Sequence, residues 1–317
     1  MHKIFIDGQS GTTGLRIREY LAARQDLEVL QIAETERKNE TAKYELINAA
    51  DVVILCLPDD AARDTVRLAA NARARILDAS SAHRVNPDWT YGMPELREDQ
   101  RHQIRNARLV SNPGCYPTGF LLAITPLVSS GVLPGGIPLT ISALSGYTGG
   151  GRKMAEQYEA RAASHPQDLW YARPYALGMD HKHLPEMKYY ARLDFEPMFM
   201  PWVGHFPQGM IVSTPLSSTW LNGKATLETV YELLGDVYKD EPCITVHAPN
   251  DQSALEDGKL EPQANNDTNR VDIFVFGNKE QILITSRLDN LGKGAAGAAV
   301  QNLNLMLGEE ELLGLSV

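Results

Sequence analysis

The chain is short of most features that would settle its class at sight. It has three cysteines, Cys56, Cys115 and Cys243. They are far apart, odd in number, and form no CxxC pair or cysteine–histidine cluster, which excludes a disulfide framework and a structural metal site. Free thiols suit a reducing compartment, so a cytoplasmic location is expected. No apolar run approaches the roughly 20 residues of a membrane span. The opening Met1-His2-Lys3 leads into a short apolar run and then Asp7, unlike a secretory signal, and no membrane partner is expected. Basic residues are in deficit, 30 Lys and Arg against 40 Asp and Glu, a formal net charge of −10. That excludes the basic footprint of a nucleic-acid binder but leaves room for a locally basic pocket. Internal repeats and low-complexity tracts are also missing.

What is present is an ordinary globular balance. The 317 residues are 43% hydrophobic and 22% charged, enough for two domains of about 100–200 residues. The first third alternates short apolar runs with helical stretches, as a parallel sheet with crossover helices does. Strands are expected at 3–7, 28–33, 51–57, 75–79 and 108–111, with helices over about 12–24 and 59–71. Beyond Pro117 a helix at 118–129 leads into longer, alternating strands at 139–144, 209–215, 270–276 and 281–287. These suit a mixed sheet with one exposed face. A last helix is expected over 292–307, where Val300, Leu303, Met306 and Leu307 recur at helical spacing. The fold class is therefore α/β: a Rossmann-type dinucleotide-binding domain at 1–115, completed by a C-terminal helix at 292–317, and an α+β domain with a mixed sheet at 116–291.

Gly8-Gln9-Ser10-Gly11-Thr12-Thr13-Gly14 follows the first strand and opens a helix. Glycines let the backbone approach a pyrophosphate, and the free N–H groups of the helix start face the anion. Gly8, Ser10, Gly11, Thr12, Thr13 and Gly14 are candidate cofactor ligands. The G-x-x-G-x-x-G spacing differs from the commoner G-x-G-x-x-G, so the signal comes from its place after β-strand and before helix. After the second strand comes Glu34-Thr35-Glu36-Arg37-Lys38. Acidic residues there suit the ribose of NAD, and hydroxyl or basic ones the 2′-phosphate of NADP. NADP is favoured, through Thr35 and Arg37.

A thiol attacks as thiolate, and its reference pKa of about 8.5 must be lowered for neutral pH. Cys115 lies in Ser111-Asn112-Pro113-Gly114-Cys115-Tyr116-Pro117-Thr118, after a strand and turn and ahead of a helix. A helix N-terminus would stabilise a negative sulfur. Cys56, inside the third expected strand, and Cys243 read as small hydrophobes. Among eight histidines, His2, His83, His102, His165 and His247 suit surface roles, His83 partly excepted by its place in Ser80-Ser81-Ala82-His83-Arg84. The informative ones are His181 and His183 in Asp180-His181-Lys182-His183, and His205 in Gly204-His205-Phe206-Pro207-Gln208-Gly209. His181 and His183 lack a third ligand cluster, so no metal is expected.

Together with Leu288-Asp289-Asn290-Leu291-Gly292-Lys293-Gly294-Ala295-Ala296-Gly297, these segments make the chain resemble N-acetyl-γ-glutamyl-phosphate reductases of arginine biosynthesis, above all their shorter branch. The match runs through nearly the whole chain, and its cysteine and final motifs are highly specific. The resemblance implies a semialdehyde-dehydrogenase-like fold, with 116–291 as its catalytic and dimerisation domain, and reduction of N-acetyl-glutamyl 5-phosphate by NADPH. Cys115 matches the family's nucleophile and would form a thioester; His205 would be the acid/base. The Cys115 backbone N–H would serve the oxyanion. Ser80, Gly292 and Lys293 join the expected cofactor set. The small-molecule acyl phosphate would meet Arg84, Asn112, Gly149, Arg152, His181 and Gln208. A homodimer or homotetramer is implied. Two departures stand out: Gln208-Gly209 replaces the longer branch's arginine–glycine pair, and His83 replaces its phenylalanine. Three rivals remain: an aspartyl-phosphate reductase, which usually has asparagine at the place of Gly114, a reductase of the homologue one methylene longer, and a non-catalytic NADP-binding sensor.

Overall fold

Aliphatic and β-branched runs of four to six residues build a parallel sheet in the first half of the chain. The structure is a computed structural model describing residues 1–317. It divides into two units, Met1–Gly114 with Ala295–Leu315, and Cys115–Gly294 with Ser316–Val317.

In the first unit the strands are β1 (His2–Asp7), β2 (Leu27–Leu30), β3 (Val52–Leu55), β4 (Arg75–Asp78), β5 (Thr90–Tyr91) and β6 (Leu109–Ser111). They lie in the order β2-β1-β3-β4-β6-β5, every pair parallel. That is the order of a Rossmann-type sheet around its first strand. Helices α1 (Thr12–Leu21), α2 (Glu40–Ala49), α3 (Asp59–Leu68) and α4 (Gln100–Asn106) join the C-terminal helix, Gly297–Leu307, in covering it. Alternation along the strands splits the core in two. Ile4, Ile6, Val52 and Ile54 pack with Ile17, Val300 and Leu303. Phe5, Val53 and Leu55 face Ile47 and Ala62 on the other side.

Several elements stop earlier than the sequence suggests. The first helix ends at Leu21 because Arg24 turns its guanidinium to Asp26, Asn304 and the Leu313 carbonyl. Strand β2 ends at Leu30, where its pairing with β1 runs out at Phe5. Strand β3 ends at Leu55, so Cys56 lies just beyond it and not inside. Helix α2 was not anticipated: it buries only Ile47, and its signal is the Asn39 cap, whose Oδ1 accepts from the Thr41 and Ala42 amides. The expected helix at 292–307 has a π-helical opening, Gly292–Ala296, before the α-helix begins.

The second unit opens with α5 (Cys115–Ser129), followed by β7 (Thr140–Gly146), α6 (Arg152–Ser164), β8 (Arg173–Pro174), α7 (Leu184–Ala191), β9 (Met198–Gly204) and β10 (Met210–Ser217). Helix α8 (Leu227–Tyr238), β11 (Ile244–Val246), β12 (Val271–Gly277) and β13 (Gln281–Leu288) complete it. Its mixed sheet runs β11-β12-β13-β10-β7-β9-β8. Helix α5 is buried from Tyr116 to Leu127 against this sheet. Gly119 makes the approach possible: a Cβ there would meet Val212 at 2.9 Å, and Ser286 Oγ donates to its carbonyl at 2.8 Å. Strand β9 escaped the sequence reading because Pro201 disguises it. Helices α6, α7 and α8 and the short strands β8 and β11 were likewise not anticipated.

Candidate active site

The glycine turn is shaped by its own chain at two positions and open at the third. Gly8 has φ +92°, and a Cβ on it would lie 2.2 Å from the Cys56 carbonyl oxygen. A Cβ on Gly14 would lie 2.5 Å from the Gly8 oxygen. At Gly11 a Cβ would meet only ordinary contacts at 3.5 and 3.8 Å. Its bareness is not needed for packing, which fits a surface kept clear for a ligand. Gly11 caps α1 with no side-chain hydrogen bond, leaving the Thr12 and Thr13 end of the helix to an anion. Ser10 Oγ accepts from Arg37 Nη1 at 3.4 Å, and Arg37 also pairs with Glu34 at 2.8 Å. Exposed Thr35 sits in the same turn. Arg37, Lys38, Lys43 and Arg67 line a cavity of about 600 Å³ together with Glu40 and Asp64. A dinucleotide with a phosphorylated ribose fits this donor set.

At the far end of β4, Asp78 is fully buried and accepts from the Ser80 amide and hydroxyl. His83 Nδ1 lies 2.7 Å from the same carboxylate, and its ring stacks on Trp89 at 4.2 Å. The exception made for His83 among the surface histidines is the better reading: the ring is 8% exposed, held by an acceptor and an aromatic face. Arg84 is buried too, its Nε on the Asn112 carbonyl and Nη2 on that of Ala79. Asn112 in turn donates to the Ala295 carbonyl and accepts from Asn302. These contacts brace the chain just before Cys115.

Cys115 is the first residue of α5 and of the second unit, and is partly exposed. Gly294 keeps that position clear, since a Cβ there would lie 2.9 Å from Cys115 Cβ. Gly292 is packed as tightly, its missing Cβ standing 2.2 Å from the Thr268 carbonyl, and Lys293 is 2% exposed. Behind the cysteine, Tyr175 donates to Tyr116 Oη at 3.0 Å. Burial raises both phenols, Tyr116 well above its usual value. His181 packs edge-on to Tyr116 and Phe199, and burial beside Lys182 lowers its pKa to about 4. His183 lies against the Tyr116 and His181 rings. No cluster of potential metal ligands exists anywhere in the chain.

His205 stands on the turn after β9. The Gly146, Tyr147 and Thr148 amides donate to the Gly209, Phe206 and Pro207 carbonyls at 2.9, 2.9 and 3.0 Å. Asn290 ties both strips together, accepting from the Gly209 amide at 2.7 Å and donating to Thr148 Oγ1 at 3.1 Å. Asp289, buried and raised in pKa by desolvation, accepts from the Leu291 and Asp267 amides and from Gln208 Nε2. The final motif therefore braces the histidine loop. Gln208 is committed to Asp267 and Asp289. Gly149 is exposed beside Ser145, and Arg152 is exposed at the start of α6 in an ion pair with Glu156. His247, expected at the surface, instead stacks on Phe274 at 4.2 Å between Asp251 and Asp272, which raise its pKa. Asn290, Asp289, Tyr116 and Tyr175 escaped the sequence reading; only the Leu288–Gly297 motif hinted at the first two.

Two parallel-sheet and mixed-sheet units, the first with a dinucleotide turn and the second opening on a cysteine, define an NAD(P)-dependent dehydrogenase class. Residues 3–107 match the semialdehyde dehydrogenase NAD binding domain and residues 115–290 the semialdehyde dehydrogenase dimerisation domain. N-acetyl-gamma-glutamyl-phosphate reductase 2 of Nostoc sp. is 46% identical, covering 99% of both chains. The Brucella anthropi N-acetyl-gamma-glutamyl-phosphate reductase is 49% identical over 97% of this chain and 99% of its own. The fold of Vibrio cholerae aspartate semialdehyde dehydrogenase II superposes with TM-score 0.72 at 14% identity, covering 97% and 98% of the two chains. The chain belongs to the semialdehyde dehydrogenase family and, within it, to the N-acetyl-γ-glutamyl-phosphate reductases. No helix is long and apolar enough to cross a membrane.

Proposed function

We propose that the chain reduces N-acetyl-L-glutamyl 5-phosphate to N-acetyl-L-glutamate 5-semialdehyde and phosphate, a cytoplasmic step of arginine biosynthesis, through a thioester on Cys115. The observation that carries this reading is Cys115 itself: a partly exposed thiol at the first position of α5, kept uncovered by Gly294. The substrate is the one that the relatives of 46% and 49% identity are named for.

The Cys115 sulfur attacks the acyl carbon, the C–S bond forms, and the acyl–oxygen bond breaks to release phosphate. His205 takes the thiol proton; its Nδ1 is buried, leaving Nε2 for the transfer. The helix start favours the thiolate. The hydride for the thioester carbon would come from NADPH held by the first unit. Breakage of the C–S bond then frees the aldehyde and the Cys115 thiolate, which takes back the proton held by His205. The Cys115 amide serves the oxyanion. NADP is favoured over NAD by Thr35, Ser10 and Arg37 and the cationic cavity beside them. Gly8 to Gly14 would carry the pyrophosphate, with Ser80, Gly292 and Lys293 completing the cofactor set. For the substrate, Gly149, Arg152 and His181 are the proposed contacts, while Arg84, Asn112 and Gln208 act through the loops they hold.

Assembly as a homodimer, or a tetramer of such dimers, is supported by one sheet face. Met198, Met200 and Trp202 of β9 are 49%, 46% and 38% exposed. The pairings place Met200, Ser142, Ser213 and Thr285 in one row, with Trp202, Leu144 and Ile211 beside it. Three large apolar side chains exposed along one strand, on a face otherwise carrying hydroxyls, suit a protein interface. Light scattering of Trp202→Glu tests it: the expected result is a smaller assembly, and an unchanged mass rejects the face.

The function is tested backwards. N-acetylglutamate semialdehyde, NADP and phosphate are supplied and NADPH formation is followed. Phosphate-dependent turnover, faster than with aspartate semialdehyde or the N-acetylated homologue one methylene longer, is the expected result. No turnover with any of the three removes the enzyme reading, and a preference for another aldehyde replaces the substrate.

A further inference from the structure

A histidine that moves protons is ordinarily aimed by an acceptor on its other ring nitrogen. His205 has none: its Nδ1 is buried without a hydrogen-bond partner. Something other than a carboxylate or carbonyl must hold the ring plane. Around it stand rings. Tyr158 of α6 lies 5.9 Å from the imidazole centroid, tilted 35°, and Tyr147 lies at 6.3 Å. Tyr147 and Tyr158 stack on each other at 5.2 Å. Tyr158 is 3% exposed, with Arg173 facing its phenol. Its ring, and not its hydroxyl, is what stands against the imidazole.

Behind Tyr158 the support is continuous. Trp170 meets its ring edge-on at 5.3 Å. Arg173 lies 4.4 Å over the Trp170 ring, and Arg161 of α6 lies 5.7 Å from it while holding Asp168. Arg173 belongs to β8 and pairs with Val203 of β9, two residues before His205. Thus the segment from Asp168 to Arg173 is latched to α6 at one end and to the histidine strand at the other. The charged groups facing this cluster are Arg173, which opposes the effect of burial on the Tyr158 phenol, and Glu159, which lies near Tyr147.

We infer that Tyr158, backed by Trp170 and Arg173, is the positioning residue that fixes the His205 imidazole for proton transfer. The inference rests on the acid/base role proposed for His205. It assigns a task to α6 and to the segment joining it to β8, neither of which carries a residue of the proposed chemistry other than Arg152.

Steady-state kinetics of the full chain test it. Displacement of a reacting group by about 1 Å costs on the order of 10²-fold, so Tyr158→Leu is expected to lower kcat about 10–100-fold. KM for the acyl phosphate stays within about twofold, because substrate binding does not depend on the imidazole plane. Tyr158→Phe, which keeps the ring, restores kcat. In a His205→Asn background, Tyr158→Leu adds no further loss. Equal losses in both backgrounds would show a merely structural role and overturn the inference, as would an unchanged kcat in Tyr158→Leu. Should Tyr158→Leu not fold, Trp170→Leu decides by the same comparison, with a loss of about 2–10-fold expected. If His205→Asn itself keeps full activity, the acid/base assignment fails. If His205→Asn is slow and Tyr158→Leu is not, only the positioning role fails.

Discussion

Cys56 and Cys115 both follow strands of one parallel sheet, and the chain treats them in opposite ways. Cys56 comes directly after β3, its carbonyl pressed against Gly8. Burial, with the Asp78 and Asp7 carboxylates nearby, pushes its thiol up to about 12. Cys115 comes after β6 and a three-residue span, as the first residue of a 15-residue helix, with a glycine opposite it. A thiol boxed in by carboxylates stays protonated, whereas one at the positive end of a helix is favoured as anion. Chemistry is therefore assigned by the surroundings of the sulfur and not by its place after a strand.

The comparison breaks most visibly by exchange. Cys115→Ala should lose at least about 10³-fold in phosphate-dependent turnover, the size expected when a nucleophile is removed. Cys56→Ala should keep kcat within about twofold, and a dead Cys56 variant would reverse the assignment. His205→Asn should cost about 10²–10⁴-fold in kcat; near-normal turnover would leave Cys115 without its proposed proton carrier. Arg37→Ala should raise KM for NADP about 10-fold or more while that for NAD stays put, since a hydrogen bond to a charged group is worth about 1.5–3 kcal/mol. Equal effects on both cofactors would remove Arg37 from the 2′-phosphate. Peptide mapping after brief iodoacetamide treatment at neutral pH should find Cys115 alkylated well before Cys56 and Cys243, and the opposite order would contradict the contrast directly.

The smallest effect concerns pH. His181, beside Tyr116, has its folded pKa depressed from 6.5 to about 4. Below pH 6.5 the unfolded chain binds a proton that the folded chain refuses. The contribution of neutral His181 is thus present above pH 6.5 and is lost as pH falls through about 4. In denaturant titrations the wild type should lose stability relative to His181→Phe as pH falls from 6.5 to about 4, and parallel curves would show that His181 does not titrate there.

Local pattern made much of this legible. The turn at Gly8–Gly14 sits between a strand and a helix because the residues around it carry strand and helix periodicity, and Cys115 was marked by Asn112-Pro113-Gly114. What stayed hidden depends on contacts distant in sequence. Asn290 reaches Thr148 across 142 positions and Gly209 across 81. Tyr175 reaches Tyr116 across 59. His83 stands only partly apart from the surface histidines in sequence, because its charged neighbours give no sign of Asp78 and Trp89 closing on it. The basic residues show the same limit from the other side. Arg84 reads as an anion ligand in sequence, but its Nε and Nη2 go to backbone carbonyls.

The Asn290 tie has a kinetic meaning. With three backbone bonds and one side chain holding two strips of chain together, the order of the His205 loop is settled once, when the protein folds. A loop that froze only on meeting substrate would charge that ordering entropy to every catalytic cycle. Here the amides of Gly146, Tyr147, Thr148 and Gly209 should exchange with deuterium as slowly as core strands, because opening any one of them means opening the set.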